Sequence, residues 1–376
     1  MKLAITHETV YDYRPAVETA QHMAYLTPLN TSNQQLLSHH LEIAPQPTQT
    51  SDTVDVFGNT RHFFSLQVPH RRLRVLASSE VLTQPGNLPH NMIAWELVRE
   101  RFRYHAGAVF DAANEFVFAS SMAPHHNDFA SYARPSFPPG QSLLLSSLDL
   151  MHRIYRDFTY ESLSTEVNTP ALQALAQRKG VCQDFAHIFV ACLRSMGLAA
   201  RYVSGYLLTA PAPGTVKLRG SDASHAWASV YLPGQLASDE SAATESCWVD
   251  LDPTNDRAGW PSPGEDYVTL AIGRDFSDVS PMRGVIHGGA SHVLTVGVTV
   301  EPVESVKPDL DAERGARQSQ TQMQTQNQSQ TQGQNQGQPT DASRPGQPWA
   351  PFEARGLSPN APLGDWRFNR DEANER

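Results

Sequence analysis

The first part of the chain is a series of short runs in which hydrophobic and polar residues alternate. Alternation places successive side chains on opposite faces of a β-strand, and short strands separated by turn residues are typical of sandwich-like modules. We therefore predict an N-terminal β-sandwich-like domain over residues 1–85. Its clearest strand-like runs lie at residues 3–7, 10–13, 36–43, 61–66 and 73–81.

Beyond this domain the spacing of hydrophobic residues becomes that of an amphipathic helix. The pattern predicts one helix over residues 91–110, with Ile93, Leu97 and Phe102 facing inward. A second helix is predicted over residues 142–158. These two helices lead into the segment that carries the candidate chemistry.

The segment 170–256 has the most informative pattern. Pro170 opens a short helix, since Pro is tolerated in a first turn, and Gly180 ends it. The next helix begins near Cys182 and ends at Gly197, with apolar residues at helical spacing at Phe185, Phe189, Val190, Leu193 and Met196. Strand-like runs follow at 200–208, 226–231 and 247–252. A helix followed by several strands predicts an α+β domain with an antiparallel sheet.

The composition changes after one last alternating strand, which is predicted at residues 292–300. Residues 318–338 are almost entirely Gln, Thr, Ser, Asn and Gly, with Met323 as the one apolar residue. Such a segment cannot bury enough apolar surface to offset the entropy lost on ordering, so we predict a disordered C-terminal tail. The predicted organisation is therefore an N-terminal domain at 1–85, a helical lead-in and core at 86–302, and a low-complexity linker and tail at 303–376.

Composition and charge exclude several classes of partner. The chain of 376 residues is 40% hydrophobic, with a formal charge of −10 and no block of five or more Lys or Arg residues. This predicts a globular protein without a nucleic-acid or membrane partner. The N-terminus reaches charged residues too early for a signal peptide, and no apolar stretch approaches the roughly 20 residues that span a bilayer. We expect a soluble cytoplasmic protein.

Cysteine usage points to a reactive thiol rather than to disulfides. Cys182, Cys192 and Cys247 form an odd and low count, which suits a reducing compartment. Cys182 lies at the start of a predicted helix, where free N–H groups and positive potential favour the nucleophilic thiolate. The same N–H groups are placed to hold the oxyanion of a tetrahedral intermediate. Cys192, in mid-helix, and Cys247, beside Trp248, are interpreted as core residues.

Candidates for a general base and its orienting group follow Cys182 in the chain. His225 begins one predicted strand and Asp252 ends the next, so antiparallel pairing would place them side by side. Asp250 shares a strand face with Asp252, and spacing alone does not choose between the two acids. Asp252 is preferred because it is nearer the strand end. The helix that begins at Cys182 must cover the sheet to bury its apolar face, so we predict that nucleophile, base and orienter converge.

Four sequence runs, taken in order, resemble the bacterial transglutaminase-like superfamily. They are Gly-Val-Cys-Gln-Asp-Phe-Ala-His at 180–187, Gly-Leu-Ala-Ala-Arg-Tyr-Val-Ser-Gly-Tyr at 197–206, Ser-His-Ala-Trp at 224–227 and Trp-Val-Asp-Leu-Asp-Pro-Thr-Asn at 248–255. Runs at 5–13 and 55–59 resemble the β-rich domain that precedes the core in that family. The resemblance covers about residues 1–302 and implies a papain-like core that forms a thioester. It also implies Cys182 as nucleophile, His225 as general base and acid, and Asp252 as orienter.

Other polar and aromatic residues have simpler interpretations. His187 is interpreted as a packing or hydrogen-bonding residue, and Asp184 as a complement to the helix dipole, with a supporting role in the site left open. Tyr160 and Trp227 are interpreted as core aromatics rather than as the lining of an acyl pocket. The sequence has no His-Glu-x-x-His, paired Cys-x-x-Cys, Gly-rich nucleotide loop or Gly-x-Ser-x-Gly elbow. We therefore predict no metal and no cofactor.

The predicted function is cysteine-dependent acyl transfer on a carboxamide or peptide bond of a protein or peptide substrate. An amine acceptor would give transglutamination, and water would give deamidation or proteolysis, because the steps up to the thioester are the same. A cysteine protease or amidase on the same scaffold and a non-catalytic interaction module are the alternatives. The complete set of Cys182, His225 and Asp252 argues against the last of these.

Overall fold

The alternating runs near the N-terminus form strands of one antiparallel sheet in the computed structural model. These strands are β1 (Lys2–Ala24), β2 (Gln34–Ala44), β3 (Gln49–Val54), β4 (Thr60–Leu66) and β5 (His70–Thr83). They are hydrogen-bonded in the order β2-β5-β1-β4-β3. Two of the predicted runs merge into β1, a single strand of 23 residues. Its pairing shifts register near Pro15, where a strand tolerates a residue without an N–H donor.

The structure describes residues 1–103, 106–107, 110–161, 168–209, 224–234, 245–289 and 291–303. The predicted disordered tail, including the Gln-rich segment, lies outside these residues. Within the described part of the chain, no helix is both long enough and apolar enough to cross a membrane.

Five helices enclose the largest apolar core. They are α1 (Trp95–Arg101), α2 (Asn127–Ala133), α3 (Leu143–Asp157), α4 (Ala171–Gln177) and α5 (Cys182–Ser195), and a small parallel pair, β6 (Thr159–Tyr160) and β7 (Lys179–Gly180), lies among them. The prediction that Leu97 faces inward is wrong, because its side chain is 67% exposed while Trp95 and Val98 are buried. Residues three apart share a helix face, so burying Trp95 and Val98 turns Leu97 outward.

A second antiparallel sheet carries the strands predicted from the middle of the chain. Its strands are β8 (Ala200–Leu207), β9 (Ser224–Leu232), β10 (Cys247–Asp252), β11 (Arg257–Gly259) and β12 (Tyr267–Gly273), in the order β11-β10-β9-β8-β12. Helix α5 packs against one face of this sheet, where Phe189 and Leu193 meet Val230 in the largest core. The predicted α+β architecture is therefore confirmed.

After a short helix, α6 (Phe276–Val279), the chain returns to the first sheet. Strands β13 (Met282–Gly288) and β14 (Ser291–Pro302) follow each other along β1 and pair antiparallel with it. Among the residues that the structure describes, the first sheet thus has seven strands. Two of them come from residues 86–302, the segment predicted to form the helical lead-in and core.

The two sheets contact each other through apolar side chains and through two amides. Leu3 and Ile5 of β1 share a buried cluster with Val268 of β12. Gln34 Nε2 donates to the carbonyl of Thr269 at 2.8 Å, and the Thr269 N–H donates back to Gln34 Oε1 at 2.7 Å. Asn59 makes the same two-way contact with the backbone of Ile272, at 2.7 and 2.8 Å. Strand β12 is therefore held in place by a side chain of β2 and by one from the turn between β3 and β4.

Arg194, near the end of α5, is buried and satisfies several backbone carbonyls. Its guanidinium donates to the carbonyl oxygens of Phe116, Ala200 and Arg274 at 2.8–3.0 Å. We expect Arg194→Met to lower the free energy of unfolding by about 3 kcal/mol or more, because each buried acceptor left unpaired costs roughly 1–3 kcal/mol. Urea denaturation measures this loss. Arg156→Met is the control, since Arg156 is mostly exposed on α3, and equal losses in both variants would contradict the expectation.

Candidate functional site

The helix start that carries Cys182 is fixed by its neighbours in sequence. The Val181 N–H donates to Asp184 Oδ2 at 2.9 Å, so the acid satisfies a free N–H group of the first turn. A Cβ atom at Gly180 would lie 2.7 Å from Asp184 Cβ, so only glycine leaves room for that side chain. Asp184 is buried and supports the helix start. Cys182 is the first helical residue and is half-buried.

His225 and Asp252 lie side by side at one end of the second sheet. His225 is the second residue of β9 and Asp252 is the last of β10, and the two strands pair antiparallel. His225 Nε2 is 2.7 Å from Asp252 Oδ2, and the two side chains are 9% and 0% exposed. The predicted neighbourhood of histidine and acid is thus present in the structure.

Asp250, which spacing alone left as an alternative, has different partners. It accepts hydrogen bonds from the Trp227 indole N–H at 2.7 Å and from the Ser229 hydroxyl. Burial raises the pKa of Asp250 to about 6, although Arg201 and these two donors oppose the rise. Asp252, and not Asp250, is the acid that contacts His225.

The Cys182 thiol interacts with His225 and, together with Asp252, raises the pKa of the imidazole. Nε2 of the ring faces Asp252, so Nδ1 is the ring nitrogen not engaged by that carboxylate. The N-terminus of α5 and one end of the second sheet therefore bring together Cys182, His225 and Asp252, the three residues predicted to converge.

Several donors hold the Asp252 carboxylate. Besides His225, its Oδ2 accepts hydrogen bonds from the Tyr267 hydroxyl and the Asn255 amide, each at 2.7 Å. Its Oδ1 accepts the Thr254 N–H at 2.8 Å. Asn255 lies in the run 248–255, one of the four that resemble the superfamily, but its contact was not predicted. Tyr267 lies in a different strand, and no sequence signal marked it.

Aromatic side chains support the histidine ring. The Trp227 indole lies 6.0 Å from the His225 ring, centroid to centroid, and meets the Tyr267 ring edge-on at 5.4 Å. Gly205, opposite His225 on β8, makes room for the indole. A Cβ atom there would lie 2.5 Å from the Trp227 ring. The lack of a side chain at Gly205 is therefore part of how the site is built.

The hydrogen bonds of the site set opposite charges on His225 and Asp252. Burial lowers the pKa of His225, but the hydrogen bonds and charge of Asp252 and Cys182 outweigh it and raise the pKa to about 10. Burial raises the pKa of Asp252, but His225, Asn255 and Tyr267 outweigh it, so this pKa is lowered. At neutral pH the pair is therefore an imidazolium beside a carboxylate.

The raised pKa of His225 predicts a loss of stability as the pH rises. Histidine ordinarily titrates near pH 6.5, whereas His225 in the folded chain titrates near pH 10, so folding favours the imidazolium. This stabilisation is complete below pH 6.5 and is lost between pH 6.5 and 10. We expect the free energy of unfolding, measured by urea denaturation, to fall more steeply across that range in the wild type than in His225→Gln. Equal slopes would show that His225 does not carry the raised pKa.

The remaining candidate residues have structural contacts. Cys192 is fully buried in the core, and burial raises its pKa; burial also raises the pKa of the half-buried Cys247. His187 Nε2 accepts the Phe276 N–H at 3.1 Å, which agrees with its interpretation as a hydrogen-bonding residue. The structure places Tyr160 at the surface, with 53% of its side chain exposed. Among the described residues, no group of three or more His, Cys, Asp or Glu side chains is arranged to hold a metal ion.

Comparison with known proteins matches both parts of the chain. Residues 3–82 match the bacterial transglutaminase-like N-terminal region, and residues 146–253 match the transglutaminase-like superfamily. The second match includes Cys182, His225 and Asp252.

Relatives in mycobacteria span most of the chain. Uncharacterised proteins of Mycobacterium tuberculosis and Mycobacterium bovis are each 39% identical over 306 residues, which is 80% of this chain and 92% of theirs. An uncharacterised protein of Mycobacterium leprae is 29% identical over 305 residues, or 80% of this chain and 98% of its own.

The fold resembles that of a protein of known crystal structure. A protein from Cytophaga hutchinsonii, provisionally assigned as a cysteine protease, superposes with a TM-score of 0.57 at 20% identity. The superposition covers 81% of this chain and 92% of that one. At this level of identity the likeness extends to the fold.

Proposed function

Because this chain belongs to the transglutaminase-like superfamily, we propose that it is a cysteine enzyme that transfers acyl groups through a thioester on Cys182. One observation carries the proposal: the buried His225–Asp252 pair, at 2.7 Å, lies against the thiol at the N-terminus of α5. This arrangement supplies a nucleophile, a proton carrier and an orienting carboxylate at one end of the second sheet.

In the first step the Cys182 thiolate attacks the carbonyl carbon of a carboxamide or peptide bond. A C–S bond forms, and the carbonyl oxygen carries the negative charge of the tetrahedral intermediate. The N–H groups of the first turn of α5 point toward that charge and stabilise it. The intermediate then collapses, the C–N bond breaks, and the imidazolium of His225 gives its proton to the departing amine.

In the second step an acceptor releases the acyl group. A primary amine or a water molecule gives a proton to the neutral His225 and attacks the thioester carbon. The C–S bond breaks, Cys182 leaves as a thiolate, and His225 is again an imidazolium. An amine acceptor yields a new amide, and water yields a carboxylic acid, so the acceptor determines whether the product is cross-linked or hydrolysed.

The sharpest test follows the acyl group. The full chain is incubated with a glutamine-containing peptide and a labelled primary amine, while ammonia release, amine incorporation and peptide cleavage are measured together. We expect ammonia release, with a peptide adduct on Cys182 detected by mass spectrometry after acid quenching. Amine incorporation would identify an amine acceptor, and ammonia release or cleavage without it would identify water.

The other two cysteines provide matched controls. Cys192 is buried and Cys247 is half-buried, and neither contacts His225 among the described residues. In the folded chain, iodoacetamide should therefore alkylate Cys182 faster than either of them. Equal alkylation rates at Cys182 and Cys247, together with no adduct from any donor, would favour a non-catalytic interaction module.

A further inference from the structure

Tyr267, on β12, contacts the same carboxylate oxygen as the histidine. Its hydroxyl donates to Asp252 Oδ2 at 2.7 Å, and His225 Nε2 lies at the same distance from that oxygen. Burial and the nearby Asp252 charge raise the pKa of Tyr267, so the phenol keeps its proton and acts as the donor. Two strands of the sheet thus compete for one acceptor atom.

The position of Tyr267 is fixed from several sides. Its side chain is 1% exposed. The ring meets Trp227 at 5.4 Å on one side, and the Arg257 guanidinium lies 4.8 Å from the ring centroid. Arg257 is itself held by both oxygens of Asp266, at 2.6 and 2.7 Å. The ring therefore has little freedom to follow a movement of Asp252.

The strand beneath Tyr267 is also held by the first sheet. Gln34 bonds the backbone of Thr269, two residues along β12, and Asn59 bonds that of Ile272. Each side-chain amide both donates a hydrogen bond to the β12 backbone and accepts one from it, which holds the strand in place. The Tyr267 hydroxyl is consequently a donor in a set position, arranged before any substrate binds.

We propose that Tyr267 is a positioning residue for the Asp252–His225 pair: its hydroxyl fixes the carboxylate and weakens its hold on the His225 proton. The proposal rests on the proposed function for its kinetic consequence, but the contact itself exists in the free protein. A carboxylate oxygen that accepts several donors is a weaker acceptor for each one. His225 must release its proton to the leaving amine, so an acceptor that holds this proton too strongly slows the reaction.

The test compares two buried tyrosines, each of which is replaced by phenylalanine. Tyr267→Phe removes the hydroxyl on Asp252. Tyr206→Phe is the matched control, because Tyr206 lies on the neighbouring strand β8, is equally buried, and bonds His7 Nδ1 at 2.9 Å instead. Each variant loses one hydroxyl and one hydrogen bond, but only one of them touches the pair.

The first readout is the proton NMR resonance of the His225 Nε2–H in the free protein, assigned by its absence in His225→Gln. In Tyr267→Phe we expect this resonance to move further downfield, because Asp252 becomes a stronger acceptor, while Tyr206→Phe leaves it in place. The second readout is the steady-state rate. Losing a hydrogen bond to a charged group typically changes a rate or equilibrium constant by a factor of roughly ten or more. We therefore expect kcat of Tyr267→Phe to fall by about tenfold while KM is unchanged.

The outcomes separate this proposal from the proposed function. An unmoved resonance in Tyr267→Phe, or equal shifts in both variants, overturns the positioning role even if the wild-type chain is an active acyltransferase. A shift confined to Tyr267→Phe supports the positioning role even if the wild-type chain turns over no acyl donor. A lack of turnover would count against the proposed function instead.

Discussion

Replacing Cys182 with alanine is expected to lower the rate of acyl transfer by about 10⁴-fold or more, the loss typical when the nucleophile of a three-residue site is removed. No other thiol takes its place, because Cys192 is enclosed in the core and Cys247 lies in β10. Ammonia release from a glutamine-containing peptide measures the loss. The helix start should survive, since the hydrogen bond between Val181 N–H and Asp184 does not involve the thiol.

Cys247→Ala is the control for the removal of a thiol as such. Cys247 is half-buried like Cys182, but burial raises its pKa and it lies at the far end of β10 from Asp252. This variant should keep its activity. Equal activity of wild type and Cys182→Ala would remove Cys182 from the mechanism, and equal loss in both variants would point to a general effect on folding.

Asp252→Asn is expected to lower kcat by about 10⁴-fold, as when the orienting acid of a comparable triad loses its charge. The amide side chain has nearly the same shape, but its NH₂ group cannot accept the proton of His225 Nε2. The ring would then lose both its orientation and the charge that raises its pKa. Steady-state kinetics on the same donor peptide measure the effect.

Asp250→Asn is the comparison, because it removes the charge of a neighbouring carboxylate that does not contact His225. Asp250 lies two residues before Asp252 on the same face of β10. It contacts Trp227 and Ser229 rather than His225. We expect this variant to lose stability, because a buried hydrogen-bond network is altered, with a far smaller change in kcat. If Asp250→Asn lost as much activity as Asp252→Asn, the hydrogen-bond geometry at His225 would not explain the role of the acid.

The first sheet forms part of the framework of the site. Gln34 and Asn59 reach across to β12, and Tyr267 of that strand bonds Asp252. These contacts explain physically why the N-terminal β-strands and the core belong together in one chain. Removing the first sheet would leave the backbone at Thr269 and Ile272 without its partners.

Local patterning by itself determined most of the secondary structure and the placement of the nucleophile. The apolar residues of α5 recur at helical spacing, and Gly180 ends the preceding element, so the first helical turn had to begin near Cys182. Alternation likewise marked the strands that carry His225 and Asp252. Their order in the chain was sufficient to predict that antiparallel pairing would bring them together.

Only the tertiary structure decided between the two acids, because Asp250 and Asp252 share a strand face and differ only in register. It also decided how His225 meets the thiol. Ala228 and Val230 face α5 in the core, while Trp227 packs in a separate cluster. Alternation groups His225 with Trp227, so strand periodicity alone does not place it against α5. The contact with Cys182 forms where β9 begins and α5 starts.

Contacts between residues far apart in sequence likewise could not be predicted from local periodicity. Tyr267 meets Asp252 although β8 and β9 lie between β12 and β10 in the sheet. Strands β13 and β14 return to β1 after more than 250 residues of intervening chain. The periodicity of apolar residues shows which face of a helix or strand is buried, because residues at that spacing lie on the same face. Which elements meet, and in what register, depends on packing of the whole chain.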